Sequence, residues 1–118
     1  METSKTSPDL LLRLLSATEL RSRVISANIA NQNTPAYKRR EVRFEDSLRE
    51  ALLGGSDVGG LHPEVVQDTA TPARPDGNNV SLELELNALR ENRILFETYA
   101  AILEGRSNLR RIAVTEGR

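Results

Sequence analysis

The chain has 118 residues, enough for one domain, and its 16 basic and 17 acidic side chains give a net charge of −1, so composition alone demands no polyanionic or polycationic partner. It contains no cysteine and one histidine, which excludes disulfides, thiolate chemistry and a multi-histidine metal site. Aromatic residues make up 3% and tryptophan is absent. The core must therefore be built mainly from aliphatic side chains, which suits packing of helix on helix.

The first predicted element is a helix from Pro8 to Asn31. Ser7 is a plausible N-cap, and proline is well suited to the first helical position. Apolar and small residues recur at alternating spacings of four and three, which keeps them on one stripe of a helix. The stripe comprises Leu11, Leu15, Thr18, Ser22, Ile25 and Ile29. The helix should end in the segment 31–36, because Asn and Thr favour turns and Pro35 disfavours a helical conformation in the residue before it.

The middle of the chain carries weaker signals. Residues 43–53 fit a short amphipathic helix, whereas Val42 and Phe44 alternate with charged neighbours as in a short strand; the pattern leaves both open. Residues 54–79 are rich in Gly and Pro, which predicts a mobile loop that can hold a short hairpin around Leu61–Val66. A loop of that length suits a chain that orders on meeting partners.

The strongest signal is a long helix predicted from Val80 to Ala113. Residues 80–86 also alternate as a strand would, but Leu and Glu favour a helix and the helical period continues for several turns. The heptad-like seam comprises Leu82, Leu86, Leu89, Arg93, Phe96, Ala100 and Leu103, and a second seam comprises Leu95, Tyr99, Ile102, Arg106 and Leu109.

These elements predict a mainly α fold in which two long terminal helices form an antiparallel, coiled-coil-like pair around a flexible middle segment. The expected division is 1–40, 41–79 and 80–118. Each helix carries two adjacent apolar stripes, more than a lone pair can bury, so the pattern favours a subunit that needs neighbours. The alternative is a small three-helix bundle that closes its own core with Phe44, Leu48 and Leu52.

No group of residues indicates catalysis or a ligand site. His62 has no second histidine or cysteine to share a metal. Glu83 and Glu85 would diverge on a helix, and the Asp76–Asn78 stretch fails the spacing of a calcium loop. We therefore expect no enzymatic activity, no cofactor, no metal and no small-molecule substrate.

Two further classes of function have little support. No apolar run approaches the length of a membrane span, and the polar start, residues 1–9, is unlike a cleavable signal peptide, so any export should use another route. The basic run Lys38–Arg40 is followed by Arg43, but acidic residues interleave with it, which favours a solvated turn or a salt-bridging surface over a nucleic-acid site. Arg93, inside an apolar seam, is either a residue at the core edge or an interchain ion-pair partner.

Two stretches carry a family resemblance. The stretch Ser26-Ala-Asn-Ile-Ala-Asn-Gln-Asn-Thr-Pro-Ala-Tyr37 resembles the N-terminal signature of bacterial flagellar rod and hook proteins. The stretch Asp76–Val80, followed by Leu86, Arg90, Glu91, Asn92 and Tyr99, resembles the C-terminal motif of the same family. The family usually has glycine where this chain has Ala36, so a positive φ at that position would strain the turn.

The resemblance implies a structural subunit of the proximal rod of the flagellar basal body. It implies export through the flagellar type III apparatus without a cleaved signal peptide, and terminal helices that are loose in the monomer and pack into concentric tubes. The implied partners are other rod subunits, a FliE-type adaptor and the export gate. A self-contained helical adaptor that binds one partner helix is the alternative function. The residues assigned to interfaces are Leu11, Leu15, Ile25, Asn28, Ile29, Asn31, Thr34, Pro35, Tyr37, Leu86, Leu89, Arg93, Phe96 and Leu103.

Overall fold

The fold is mainly helical, with a long C-terminal helix. The computed structural model describes residues 8–55 and 58–116, so the N-cap expected at Ser7 lies outside the described residues. In chain order the elements are α1 (Pro8–Ala30), β1 (Arg40–Arg43), α2 (Glu45–Leu53), β2 (Glu64–Gln67) and α3 (Leu82–Glu116). Both long helices begin and end within three residues of the bounds that the sequence predicts.

Helices α1 and α3 pack against each other in an antiparallel arrangement. The end of α1 meets the start of α3, where Asn28 Nδ2 donates to Glu85 Oε1 at 3.1 Å. Farther along, Asn92 Nδ2 donates to the carbonyl of Thr18 at 2.7 Å. The 23 residues of α1 span about 34 Å and the 35 residues of α3 about 52 Å. The C-terminal part of α3 extends beyond α1, and every side chain from Ser107 to Thr115 is exposed.

The two strands form an antiparallel pair whose members are distant in sequence. Arg40 lies opposite Gln67, and Arg43 lies opposite Glu64. The residues around 42–53 fit both a short strand and a short helix. The segment contains both, because β1 leads directly into α2. The prediction of a local hairpin around Leu61–Val66 is wrong. The strand in that region, β2, pairs instead with β1, which precedes α2 in the sequence.

A small apolar core fastens α2 to the first half of α1. Phe44, Leu48, Leu10 and Ala17 form its buried part. The partly buried residues packed against it are Leu14, Leu52, Val58 and Leu61. This is the core proposed for the self-contained bundle, but it covers α1 and leaves large apolar residues of α3 exposed.

The segment after α2 is held against α1 by one arginine. Arg13 Nη1 donates to the carbonyl of Leu61 at 2.8 Å, and its Nη2 donates to the carbonyl of Gly59 at 2.6 Å. These bonds and the pairing of β2 hold part of the segment 54–79 in place, a segment that composition alone predicted to be a mobile loop.

The molecule is thin for its mass, with principal extents of 68 × 29 × 15 Å. Its accessible surface is 8065 Å², whereas a compact monomer of 13.1 kDa would expose about 6,400 Å². A layer one helix deep has little interior, and many apolar side chains of α3 remain exposed.

Candidate assembly surface

The turn that follows α1 brings the two sequence motifs together. Asn31 Nδ2 donates to the carbonyl of Ala27 at 2.8 Å, which caps the end of the helix. The hydroxyl of Thr34 donates to Asn31 Oδ1 at 3.1 Å. From the second motif, the fully buried Asn78 donates its amide to the carbonyls of Asn31 and Thr34 at 2.9 and 2.8 Å. The motifs thus form one folded unit, although more than 40 residues separate them.

Ala36 has a left-handed backbone at the centre of this unit. Its φ is 64°, a conformation that costs a non-glycine residue about 1–2 kcal/mol. The turn is held there because the Ala36 N–H donates to the carbonyl of Asp76 at 2.8 Å. The condition under which alanine would strain the turn, a positive φ, is thus met. Gly77 packs against this turn. A Cβ at position 77 would lie only 3.1 Å from Ala36 Cα, so glycine allows the two backbone segments to approach closely.

Replacing Ala36 with glycine should therefore stabilise the protein. Removal of the left-handed strain is expected to raise the free energy of unfolding by about 1 kcal/mol, measured by urea unfolding. The matched control is Ala27→Gly, the same change at an exposed position inside α1, which should lower stability by about 1 kcal/mol. Equal losses in both variants would show that the turn stores no strain.

A buried polar cluster, here called the junction network, joins both long helices to the sheet. It comprises Asn28, Arg39, Asp68, Asn79 and Glu85. Glu85 is 1% exposed, and its Oε2 accepts from Arg39 Nε at 2.6 Å. Arg39 Nη1 lies 2.8 Å from Asp68 Oδ2, just beyond β2. Asn79 completes the cluster by accepting from the Arg39 N–H at 2.7 Å and donating to the Asp68 carbonyl at 2.8 Å.

Asn28 seals the outer edge of the sheet within this network. Its amide donates to the carbonyl of Arg40 at 2.8 Å, and its Oδ1 accepts from the Arg40 N–H at 3.0 Å. The hydroxyl of Tyr37 also donates to Asn28 Oδ1, at 3.2 Å. One side chain thereby satisfies strand groups that would otherwise remain open to pairing.

Hydrogen bonds within and beside the junction network favour the charged forms of Asp68 and Arg39. The hydroxyl of Thr71 and the guanidinium of Arg39 both bond the carboxylate of Asp68 and hold its pKa well below the usual range. Partial burial works against a charge on Arg39, but hydrogen bonds to Glu85 and Asp68 outweigh it and raise the pKa of the guanidinium. The salt-bridging role predicted for the basic run is confirmed at Arg39.

A second polar contact lies midway along the helix pair. Arg21 Nη1 donates to Asn92 Oδ1 at 3.2 Å, and its Nη2 donates to Glu45 Oε1 at 2.6 Å. Burial and the nearby Glu45 carboxylate raise the pKa of the neighbouring Tyr99 hydroxyl. The line of α3 that faces α1 therefore includes the polar residues Glu85 and Asn92, seven positions apart.

Many exposed apolar residues of α3 lie beside that line, on either side of it. The front stripe, defined as Leu82, Leu86, Leu89, Arg93 and Phe96, is the first part of the predicted main seam. Its Leu82, Leu86 and Phe96 are 41%, 39% and 45% exposed. The rear stripe, defined as Leu84, Glu91, Leu95, Ile102 and Leu109, shares three residues with the predicted second seam. All of its members are exposed.

The residues assigned to interfaces from the sequence fall into three groups. Leu11, Ile25 and Asn28 are buried within the chain. Partly buried are Leu15, Ile29, Asn31, Tyr37, Leu89 and Leu103, whereas Thr34, Pro35, Leu86, Arg93 and Phe96 are exposed. The last group can meet a neighbour without any rearrangement. The junction residues Arg39, Asp68, Asn79 and Glu85 were not among the predicted sites; only Asn79 lies inside a quoted motif.

The described ranges contain no cluster of side chains suited to a metal ion. Across residues 8–55 and 58–116, no three His, Asp or Glu side chains cluster so as to hold a metal ion. Nor does any helix in these ranges combine the length and apolar character needed to cross a bilayer. The notable surface is instead the pair of apolar stripes on α3.

Comparison with known proteins identifies the chain's relatives. No protein-family model matches it. The flagellar basal body rod protein FlgB of Borrelia hermsii is 32% identical, in an alignment that covers 81% of this chain and 86% of the relative. The protein of the same name from Bacillus subtilis is 29% identical over 88% of this chain and 89% of the relative, and that of Salmonella typhimurium is 26% identical over 70% and 74%. The two motifs, the paired terminal helices and this similarity agree, and the chain belongs to the FlgB family of flagellar basal body rod proteins.

Proposed function

We propose that the protein is a non-enzymatic structural subunit of the proximal rod that polymerises through its terminal helices. The observation that carries this proposal is the exposure of two apolar stripes on α3 in a molecule only 15 Å thick. Burial of such surface contributes about 25 cal/mol per Å² of apolar area, which favours assembly. A shaft built from several such contacts per subunit would transmit torque.

The remaining parts of the proposal rest on the family resemblance. The protein leaves the cytoplasm through the flagellar export apparatus without cleavage of a signal peptide. Its neighbours are other rod subunits, a FliE-type adaptor and the export gate. Because Leu11, Ile25 and Asn28 are already buried, the exposed α3 residues are the ones that supply contacts to these neighbours.

A charge placed on the exposed end of α3 tests the proposal. Leu109 is 69% exposed, so Leu109→Glu should leave the free protein folded, with stability changed by at most about 0.5 kcal/mol. In a strain that lacks the native gene, we expect this variant to be depleted on the order of tenfold from purified basal bodies, since assembly would bury an unpaired carboxylate. Swimming in soft agar should fall in parallel.

The neighbouring residue supplies the control. Asn108 is exposed and polar, and Asn108→Glu adds the same charge one position away. This variant should enter basal bodies as the unmodified protein does. Full incorporation of Leu109→Glu would overturn the role given to the apolar surface of α3, and absence of the unmodified chain from basal bodies would overturn the rod assignment.

A groove between the long helices favours the adaptor as a second candidate function. It has a volume of about 490 Å³ and is lined by Thr18 and Ser22 of α1 and by Leu89 and Phe96 of α3. An apolar groove of this kind can accept one partner helix. Sedimentation of the protein mixed with purified rod proteins separates the two functions. An adaptor gives one small complex of fixed size, whereas a rod subunit gives species that grow with concentration.

A further inference from the structure

The two stripes of α3 lie on opposite faces of the helix pair. The line through Glu85 and Asn92 faces α1, as their hydrogen bonds to Asn28 and Thr18 show. At about 100° per residue, Leu86 and Arg93 lie roughly 80–100° to one side of this line. On the same scale, Glu91, Leu95 and Ile102 lie roughly 80–120° to the other side. The front and rear stripes therefore point away from each other, one on each broad face.

Each stripe as defined contains one charged residue, and these two charges have opposite sign; Arg106 of the predicted second seam lies roughly 40° from Ile102, beside the rear stripe. Arg93 interrupts the front stripe, and its only ion pair among the described residues is an exposed one with Glu97 at 3.5 Å, in which the arginine side chain stays 81% exposed. Glu91 interrupts the rear stripe and makes no ion pair within the described part of the chain. Exposed pairs such as Arg93–Glu97 contribute little stability and exchange partners easily.

We propose that the front stripe of one copy packs on the rear stripe of a second, parallel copy, with Arg93 of the first paired to Glu91 of the second. This inference deepens the proposed rod function and rests on it, because it names the neighbour that covers α3. The two residues are two positions apart, so a shift of about 3 Å along the helix axis brings them level. Leucine, isoleucine and phenylalanine side chains then flank the ion pair on both sides.

The charges also select against the symmetric alternatives. Parallel, in-register pairing of two front stripes would set Arg93 against Arg93, and pairing of two rear stripes would set Glu91 against Glu91. Like charges opposed across an interface cost several kcal/mol. Contact between unlike faces is heterologous and does not close on itself in pairs, so it generates rings or helical filaments.

Cysteine cross-linking tests the contact directly, because the natural chain contains no cysteine. A chain carrying both Glu91→Cys and Arg93→Cys should, when basal bodies prepared in reductant are oxidised, give a ladder of dimers, trimers and larger species. Chains carrying only one of the two cysteines serve as controls and should stay monomeric. A co-assembled mixture of the two single variants should give dimers and nothing larger.

A charge exchange tests the same contact without cross-linking. Glu91→Arg alone and Arg93→Glu alone should each reduce recovery in basal bodies by about tenfold or more, since each creates a like-charge contact. The double variant Glu91→Arg/Arg93→Glu restores opposite charges and should recover most of the loss. Circular dichroism of the free variants verifies that these exposed changes leave the fold intact.

The outcomes separate this inference from the function on which it rests. If the unmodified chain is present in basal bodies but the double-cysteine chain gives no ladder, the proposed contact is overturned and the rod function stands. Dimers from either single-cysteine chain would also overturn it, because they require like faces to meet. Failure of the charge exchange to rescue the single variants would do the same. Absence of the unmodified chain from basal bodies would overturn both proposals.

Discussion

Replacing Asn28 with leucine is expected to lower the free energy of unfolding by about 3 kcal/mol, because it leaves buried polar groups without partners. Asn28 is fully buried, and its amide serves both the N–H and the carbonyl of Arg40. It also donates to Glu85, a carboxylate that is itself 1% exposed. Leucine has a similar branched shape but a larger volume, so some overpacking accompanies the loss of these hydrogen bonds. Urea unfolding followed by far-ultraviolet circular dichroism measures the change.

The matched control is Asn31→Leu, three residues farther along the same motif. The Asn31 side chain is only half buried, and its amide donates to a single carbonyl, that of Ala27. Water can replace this bond, so the loss should stay below about 1 kcal/mol. If Asn28→Leu costs no more than Asn31→Leu, the junction network makes no net contribution to stability.

The junction network and the separate Asn92 contact together decide which residues of α3 face outward. Glu85 and Asn92 are seven positions apart, and both are bonded to α1. Two such points fix the rotation of α3 about its own axis, as polar residues in helix seams are known to fix register. With that rotation fixed, Leu86 and Ile102 point to opposite faces. A weakened network should therefore affect assembly as well as stability.

The long helices were predictable because their signals are local. The bounds of α1 follow from Pro8 at its start and from the Asn and Thr residues after Ala30. The period of Leu, Ile and Phe over residues 82–103 outweighed the strand-like alternation at its beginning. The resemblance drew attention to Ala36, where the family usually has glycine, but it left open whether the turn is left-handed.

The long-range contacts were not predictable from these local patterns. The pairing of β1 with β2 joins residues separated by all of α2, and four-residue strands carry too little periodicity to specify a partner. In the sequence, Glu85 is one of several glutamates near the start of α3, and no local pattern marks it as buried. Its burial depends on Arg39 and Asn28, which lie more than 45 residues away. A charge pattern along one helix cannot reveal a partner supplied by another element.

Replacing Phe44 with alanine is expected to cost about 3–5 kcal/mol, the range for removing a buried phenylalanine and leaving a cavity. Its side chain is 1% exposed and packs with Leu10, Ala17 and Leu48 in the core that fastens α2 to α1. Few other large side chains are buried among the described residues, so the neighbouring side chains cannot fill the cavity by moving into it. The free energy of unfolding of a small domain is only about 5–15 kcal/mol, so the variant should unfold at a markedly lower urea concentration than the unmodified protein.

The matched control is Leu53→Ala at the end of the same short helix. Leu53 is 78% exposed, so its loss should change stability by at most about 0.5 kcal/mol. The two variants together ask whether α2 is held by its buried side or merely by its own helical propensity. Equal, small losses would mean that the α1–α2 core collapses around the missing ring and does not anchor the middle of the chain. A large loss of stability at Phe44 alone would mean that the buried side of α2 anchors the middle segment to α1.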